Sequence, residues 1–162
     1  MQGEIISYVL LAGLATALLL AAFTDLRRRQ IDNWLTLAIA LGAPAFWLAS
    51  GFSPSAMGFQ LALALVTFAV LAGLFALGQM GGGDVKLLSA LALWIAPAAF
   101  LKLLMVMAIA GGVLTIIFGG LHVIRRARGK VAVPYGIAIS VAGLWVLASD
   151  HLPAIQTAIT TG

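Results

Sequence analysis

Glu4, Asp25, Asp32, Asp84 and Asp150 are all the carboxylate chemistry this 162-residue chain contains. Asp25, Asp32 and Asp84 stand at the edges of long apolar runs, where charge is expensive and an acid is a functional candidate by default. Asp84 follows three glycines in "QMGGGDVKLL", Gln79 to Leu88. A glycine break between two apolar spans leaves backbone N–H and C=O groups open. At membrane depth these are tolerated only where they are buried in protein or line a wet cavity. Glycine also lets a second chain come close, and strand-like pairing beside a carboxylate would hold an unwound peptide. One carboxylate does not hydrolyse an amide, whereas two that share a proton do. The ionised one takes a proton from water and the protonated one polarises the carbonyl, because close like charges cannot both ionise. Such a titration belongs to the pair.

Each acid also has a structural reading. Glu4 and Asp150 lie at the outer ends of spans, where solvated acids are common. Asp32 precedes Asn33 and the apolar Trp34-Leu35, the pattern of a helix N-cap. Asp84 opens a span, where the helix dipole favours an anion, but capping leaves Gly81, Gly82 and Gly83 unexplained. Asp25 closes a span, where the dipole disfavours an anion, and a residue set against its local preference points to function. An ion pair with Arg28 or Arg29 at helical spacing is the alternative. Asp25 and Asp84 therefore form the candidate pair, at one membrane level on different helices.

The elements that must position them are apolar helices. Hydrophobic residues make up 63% of the chain and charged residues 9%, against roughly 25% charged in a soluble domain. Long unbroken runs exclude a barrel, whose strands alternate. The expected fold is an all-α polytopic membrane protein, one domain over 1–162, built as a bundle of about six transmembrane helices. The spans are expected at Ile5–Phe23, Trp34–Ala49 with a kink at Pro44, Met57–Gly78, Val85–Phe100, Leu101–Leu121 and Val133–Ser149, with a very tight turn at Pro97–Phe100. Met1 to Glu4 carry no positive charge, so the first run reads as a mature span and not as a cleaved signal. The net charge of +4 sits in short loops: Arg27 to Arg29, Lys86, and Arg125, Arg126, Arg128 and Lys130. These alternate with uncharged or weakly charged connections, which makes them cytoplasmic and puts both termini on the other side. With no cysteine, disulfides, thiolate metal sites and a cysteine nucleophile are excluded. No basic face with interleaved aromatics exists for nucleic acid. No cofactor or metal is expected, and the lipid bilayer is an expected partner.

Gly81-Gly82-Gly83-Asp84 fits the G-x-G-D motif of intramembrane aspartyl proteases. With Asp84-Val85-Lys86-Leu87, "DLRRRQIDNWLT" from Asp25 to Thr36 and "VPYG" from Val133 to Gly136, the chain resembles the type IV prepilin peptidases. The order of these segments matches the family's and spans most of the chain. The resemblance implies an aspartic endopeptidase of the prokaryotic inner membrane. It would cut the short basic leader from type IV pilin-like precursors at the cytoplasmic face, just before the precursor's hydrophobic helix. It assigns Asp25 and Asp84 as the dyad and Gly81 and Gly83 as motif glycines. Lys86 matches a common family lysine, and Asp32, Asn33, Pro134, Tyr135 and Gly136 are possible supporting residues. Two departures stand out: Asp32 replaces a family proline, and Ile137 stands where a further proline is usual. No methyltransferase region with a cysteine-rich loop is present, so no N-methylation is expected. The chain looks more like the short enzymes of tight-adherence (Flp-type) pilus systems, or the related archaeal preflagellin peptidases, than like the long bifunctional members.

Two other classes share features with this reading. Paired acids and broken helices also build proton- or cation-coupled transporters, although these favour acids near the midplane and an internal repeat. A non-catalytic pilus-assembly subunit binding precursor helices would share nearly every feature.

Overall fold

A computed structural model of the chain describes residues 2–124 and 134–161. They form six helices: α1 (Gln2–Arg28), α2 (Asn33–Ala49), α3 (Pro54–Ala76), α4 (Gly82–Leu91), α5 (Pro97–Ile124) and α6 (Tyr135–Thr161). The described residues contain no strand. Three helices, α1, α3 and α5, are long and apolar enough to cross a membrane, and α2 is a shorter apolar helix of 17 residues. Their outer faces carry large exposed side chains such as Leu48, Leu65, Met105 and Ile116. So large an apolar surface requires lipid, not water. The basic cluster Arg125, Arg126, Arg128 and Lys130, and Val133, lie outside the described residues.

Helix α4 is the centre of the bundle. It packs on α2, α3 and α6, while α1 packs on α2 and α6, and α5 on α6. Leu87, Leu88 and Leu91 of α4 are fully buried and join Leu18, Leu103, Ile139 and Val146 in the core. With ten residues, α4 is about 15 Å long, half of a bilayer's ~30 Å hydrocarbon core. It is a half-helix, not the span expected over Val85–Phe100.

The difference lies at Pro97. The sequence reading put a tight turn at Pro97–Phe100, whereas the turn occupies 92–96 and Pro97 opens α5. Proline suits the first turn of a helix, because its missing N–H has no partner to lose there and its φ is already helical. The carbonyls of the 92–96 turn, set inside the bundle, need donors from elsewhere. Gln60 of α3 donates Nε2–H to the oxygens of Ala92 (2.9 Å) and Ile95 (2.6 Å). Trp47 Nε1 donates to the Leu93 oxygen at 2.8 Å. In return Trp94 Nε1 donates to the Ile39 oxygen, also at 2.8 Å. Side chains from two neighbouring helices thus tie down the end of α4.

The other end of α4 is set by the end of α3. Gly78, at φ 69°, takes the left-handed conformation that L side chains avoid. Its N–H donates to the Phe75 oxygen and that of Gln79 to the Leu74 oxygen, the paired bonds of a Schellman stop. The chain turns at once towards Gly81 and re-enters as α4. Pro44 lies inside α2, which continues through it.

Candidate active site

Asp84 is the third residue of α4, and Gly81 is its N-cap. The carboxylate folds back to the N–H of Gly81, as the third residue of a capping box does. A Cβ on Gly81 would lie 2.8 Å from Asp84 Oδ2, so any side chain there would displace the acid. Gly83 serves a second approach. A Cβ there would lie 3.2 Å from Ile31 Cβ, so the glycine lets the start of α4 sit against the α1–α2 connection. The two motif glycines are thus taken up by the protein's own Asp84 and Ile31. Gly82 and Gly83 are helical, in the first turn of α4 and not in an open loop.

Asp25 arrives from the last turn of α1. It is 5% exposed, and its Oδ2 has no hydrogen-bond partner. Over it lies the first turn of α6. A Cβ on Gly136 would stand 2.8 Å from Asp25 Oδ2 and 2.9 Å from Ile31 Cδ1. The backbone N–H groups of Gly136 and Ile137 lie close enough to act on the Asp25 carboxylate. Both belong to the first turn of α6, where amides have no i−4 partner within the helix, although that of Ile137 also donates to the Pro134 oxygen. Arg29 reaches the same carboxylate with its charge. It closes α1 in the left-handed region at φ 52°, its N–H donating to the Asp25 carbonyl at 2.8 Å.

Asp25 and Asp84 line one cavity of ≈ 530 Å³, together with Arg29, Asp32, Gly81 and Tyr135. The two carboxylates are close enough for the charge of Asp25 to act on Asp84. Burial first, and that charge second, push Asp84 up from an ordinary carboxylate value to about 6, with the Gly81 N–H pulling the other way. A carboxylate that holds its proton to about pH 6, next to a second carboxylate, is what shared-proton chemistry requires.

The remaining sequence candidates fall around this cavity. Asp32 does occupy the N-cap position of α2, but its side chain caps no amide of that helix; it lines the cavity instead. Lys86 lies outside the cavity and donates Nζ–H to Asn33 Oδ1 at 2.8 Å, tying α4 to the start of α2. Tyr135 lays its ring on Gly111 of α5 and brings its hydroxyl to Thr115 Oγ1 at 3.3 Å, which fixes where α6 begins. Pro134 is buried immediately before α6, and its oxygen accepts from the Ile137 N–H. Sequence reasoning missed Ile31, the side chain on which both Gly83 and Gly136 close. It also missed Gln60, although a lone amide in the apolar run Met57–Gly78 is a visible signal.

Residues 12–119 match the model of the type IV leader peptidase family. No curated protein and no solved structure matches the chain. The matched stretch holds Asp25, the 25–36 segment and the glycine turn with Asp84, and it ends before Pro134-Tyr135-Gly136.

Proposed function

The chain belongs to the type IV leader peptidase family, and from that premise we propose that it is a membrane aspartic endopeptidase acting on prepilin-like precursors. It removes the short basic leader just ahead of the precursor's hydrophobic helix. The observation that carries this reading is the meeting of Asp25 and Asp84 in one polar cavity at the edge of the apolar bundle. Asp84 holds the proton and polarises the scissile carbonyl, while Asp25 takes a proton from the attacking water. The tetrahedral intermediate then collapses, with the proton on Asp25 passing to the leaving amine. The N-terminal amides of α6 and the side chain of Arg29 steady the charge on Asp25 through this cycle.

Alternating basic segments support a helical bundle in the inner membrane in which α4 enters only part-way, with the cavity on the cytoplasmic side and both termini opposite. Arg27 to Arg29 serve that topology and the anionic headgroups, because a basic leader is not attracted by them.

Purified protein in detergent should cut a prepilin-like precursor once, between leader and helix. Asp25→Asn and Asp84→Asn should each abolish cleavage while accumulating in the membrane as the native chain does. Full processing by either variant would remove that residue from the dyad. Failure of the native chain to cut any such precursor would point to an assembly subunit instead.

A further inference from the structure

Beside the acidic cavity lies a second, apolar one, a groove of ≈ 490 Å³ between α2, α3 and α4. Each helix contributes one stripe at i, i+3, i+4 and i+7. From α2 these are Asn33, Thr36, Leu37 and Ala40. From α3 they are Leu61, Ala64, Leu65 and Phe68, and from α4 Lys86, Ser89 and Ala90, continued at the same spacing by Leu93 of the 92–96 turn. That spacing is one helix face each, about 10 Å long. The groove exists because α2 and α3 both lean on the short α4 and make little contact with each other. Its floor is small: Thr36, Ala64 and Ala90 are buried. Its rim is large and apolar: Leu37, Leu61, Leu65 and Phe68 are each about half exposed or more.

We infer that this groove is the docking site for the hydrophobic helix of the precursor, seated alongside α2, α3 and α4 for about two turns and ending at the Lys86–Asn33 bond. The inference rests on the peptidase reading and adds where its substrate lies. Three observations select this occupant. A small-residue floor between apolar walls lets a helix backbone come close in lipid, where close packing replaces the hydrophobic drive. Helix-in-groove recognition sets the apolar face of a docked helix, its i, i+3, i+4 and i+7 side chains, against apolar walls such as these. Above all, the groove is continuous with the acidic cavity: Asn33 lines both, and Lys86 follows Asp84 by two residues. A chain that lies as a helix in the groove meets the hydrogen-bonded pair Lys86 and Asn33 at its end. Beyond that pair it must go on in the polar cavity, and its first residues outside the helix face Asp25 and Asp84. An acyl chain could fill the apolar groove but has no peptide segment to carry on into the polar cavity.

The test uses the full chain and a purified precursor, with a short peptide that spans the leader junction and lacks the hydrophobic helix. Ala64→Leu fills the floor, and Ala40→Leu narrows the groove from its α2 wall. Each should lower the ratio of precursor cleavage to peptide cleavage at least tenfold. An unchanged ratio, whether both activities persist or both fall together, overturns the proposal. A second arm does not depend on cleavage. A photoreactive residue at Leu65, with another at Ile116 on the lipid face of α5 as control, is irradiated with the precursor in the membrane. Capture of the precursor helix at Leu65 and not at Ile116 supports the groove. Capture of lipid alone or of a second copy at Leu65, or equal capture at both positions, overturns it. If the precursor is captured but never cut, the peptidase reading fails and the docking site stands.

Discussion

Gly136 and Asp25 are in contact across the α1–α6 junction, and the contact leaves no room for a methyl group. A Cβ on Gly136 would stand 2.8 Å from Asp25 Oδ2 and 2.9 Å from Cγ. Gly136→Ala should therefore push the Asp25 carboxylate out of line, cutting kcat for precursor cleavage at least a hundredfold. Overpacking of this kind costs about 1–3 kcal/mol of stability, so a steric control is needed. Gly143→Ala brings a Cβ equally close, 2.9 Å, to Leu18 Cδ1, the end of a flexible side chain away from the dyad. Gly143→Ala should keep most of its activity. Equal losses in the two variants would show that crowding of α6, not displacement of Asp25, is what matters.

On the proposed mechanism, Asp84 sets the alkaline side of the pH profile. Burial and the charge of Asp25 raise it from 3.8 to about 6, so the folded protein holds a proton that the unfolded chain releases near 4. Between those values the folded state binds more protons, and stability falls as pH rises through the window. Above about pH 6 the ionised Asp84 is a net cost of roughly 1–3 kcal/mol. Cleavage should decline as pH rises through about 6, because the general acid is lost. Asp84→Asn should unfold at a higher temperature than the native chain at pH 7.5, and at nearly the same temperature at pH 4.5. Thermal unfolding in detergent at both values checks this; a variant less stable than the native chain at pH 7.5 would contradict it.

The acids were legible in the sequence because carboxylates are scarce here and lipid makes each conspicuous. The helices were legible because unbroken apolar runs leave no other spanning structure. What stayed hidden depends on contacts between distant segments. From Ala90 to Phe100 the run is apolar throughout, so nothing local shows that α4 stops at Leu91. The stop is possible because Gln60 and Trp47, on other helices, satisfy the carbonyls of the turn. Pro97 reads equally as the end of one helix and the start of the next. Gly81 and Gly83 announced a close approach without saying to what. They admit Asp84 and Ile31, where the sequence suggested an incoming peptide. Asp32 reads as a cap from its neighbours, yet its carboxylate makes no capping bond.

Arg29 holds a conformation that glycine adopts more readily. At φ 52°, a non-glycine residue costs about 1 kcal/mol or more. Arg29→Gly should relieve that strain and stop α1 at least as well. Its guanidinium, however, acts on Asp25 in the cavity. The variant should unfold no earlier than the native chain while cutting precursor several-fold more slowly. Arg29→Lys, which restores a cation but not the fork of donors, should recover part of the rate. Native activity in Arg29→Gly would reduce Arg29 to a residue of topology.

Gln60 is the sharpest test of the half-helix. It is 4% exposed within an apolar span, and its amide serves two carbonyls on the far side of α4, those of Ala92 and Ile95. Gln60→Leu keeps the bulk and removes both bonds. Each buried carbonyl left without a donor costs about 1–3 kcal/mol, so the loss should be roughly 2–6 kcal/mol. Gln60→Glu separates hydrogen bonding from size. Ionised, it has no donor and sets a charge against two carbonyl oxygens; protonated, it can donate to only one of them. It should therefore be at least as damaging as Gln60→Leu at pH 8 and milder at pH 5. Because the end of α4 fixes its start, where Asp84 sits, cleavage should fall in step with stability. Thermal unfolding of both variants at both pH values decides the matter. An unfolding temperature that does not respond to either substitution would mean that the 92–96 turn is held by packing alone.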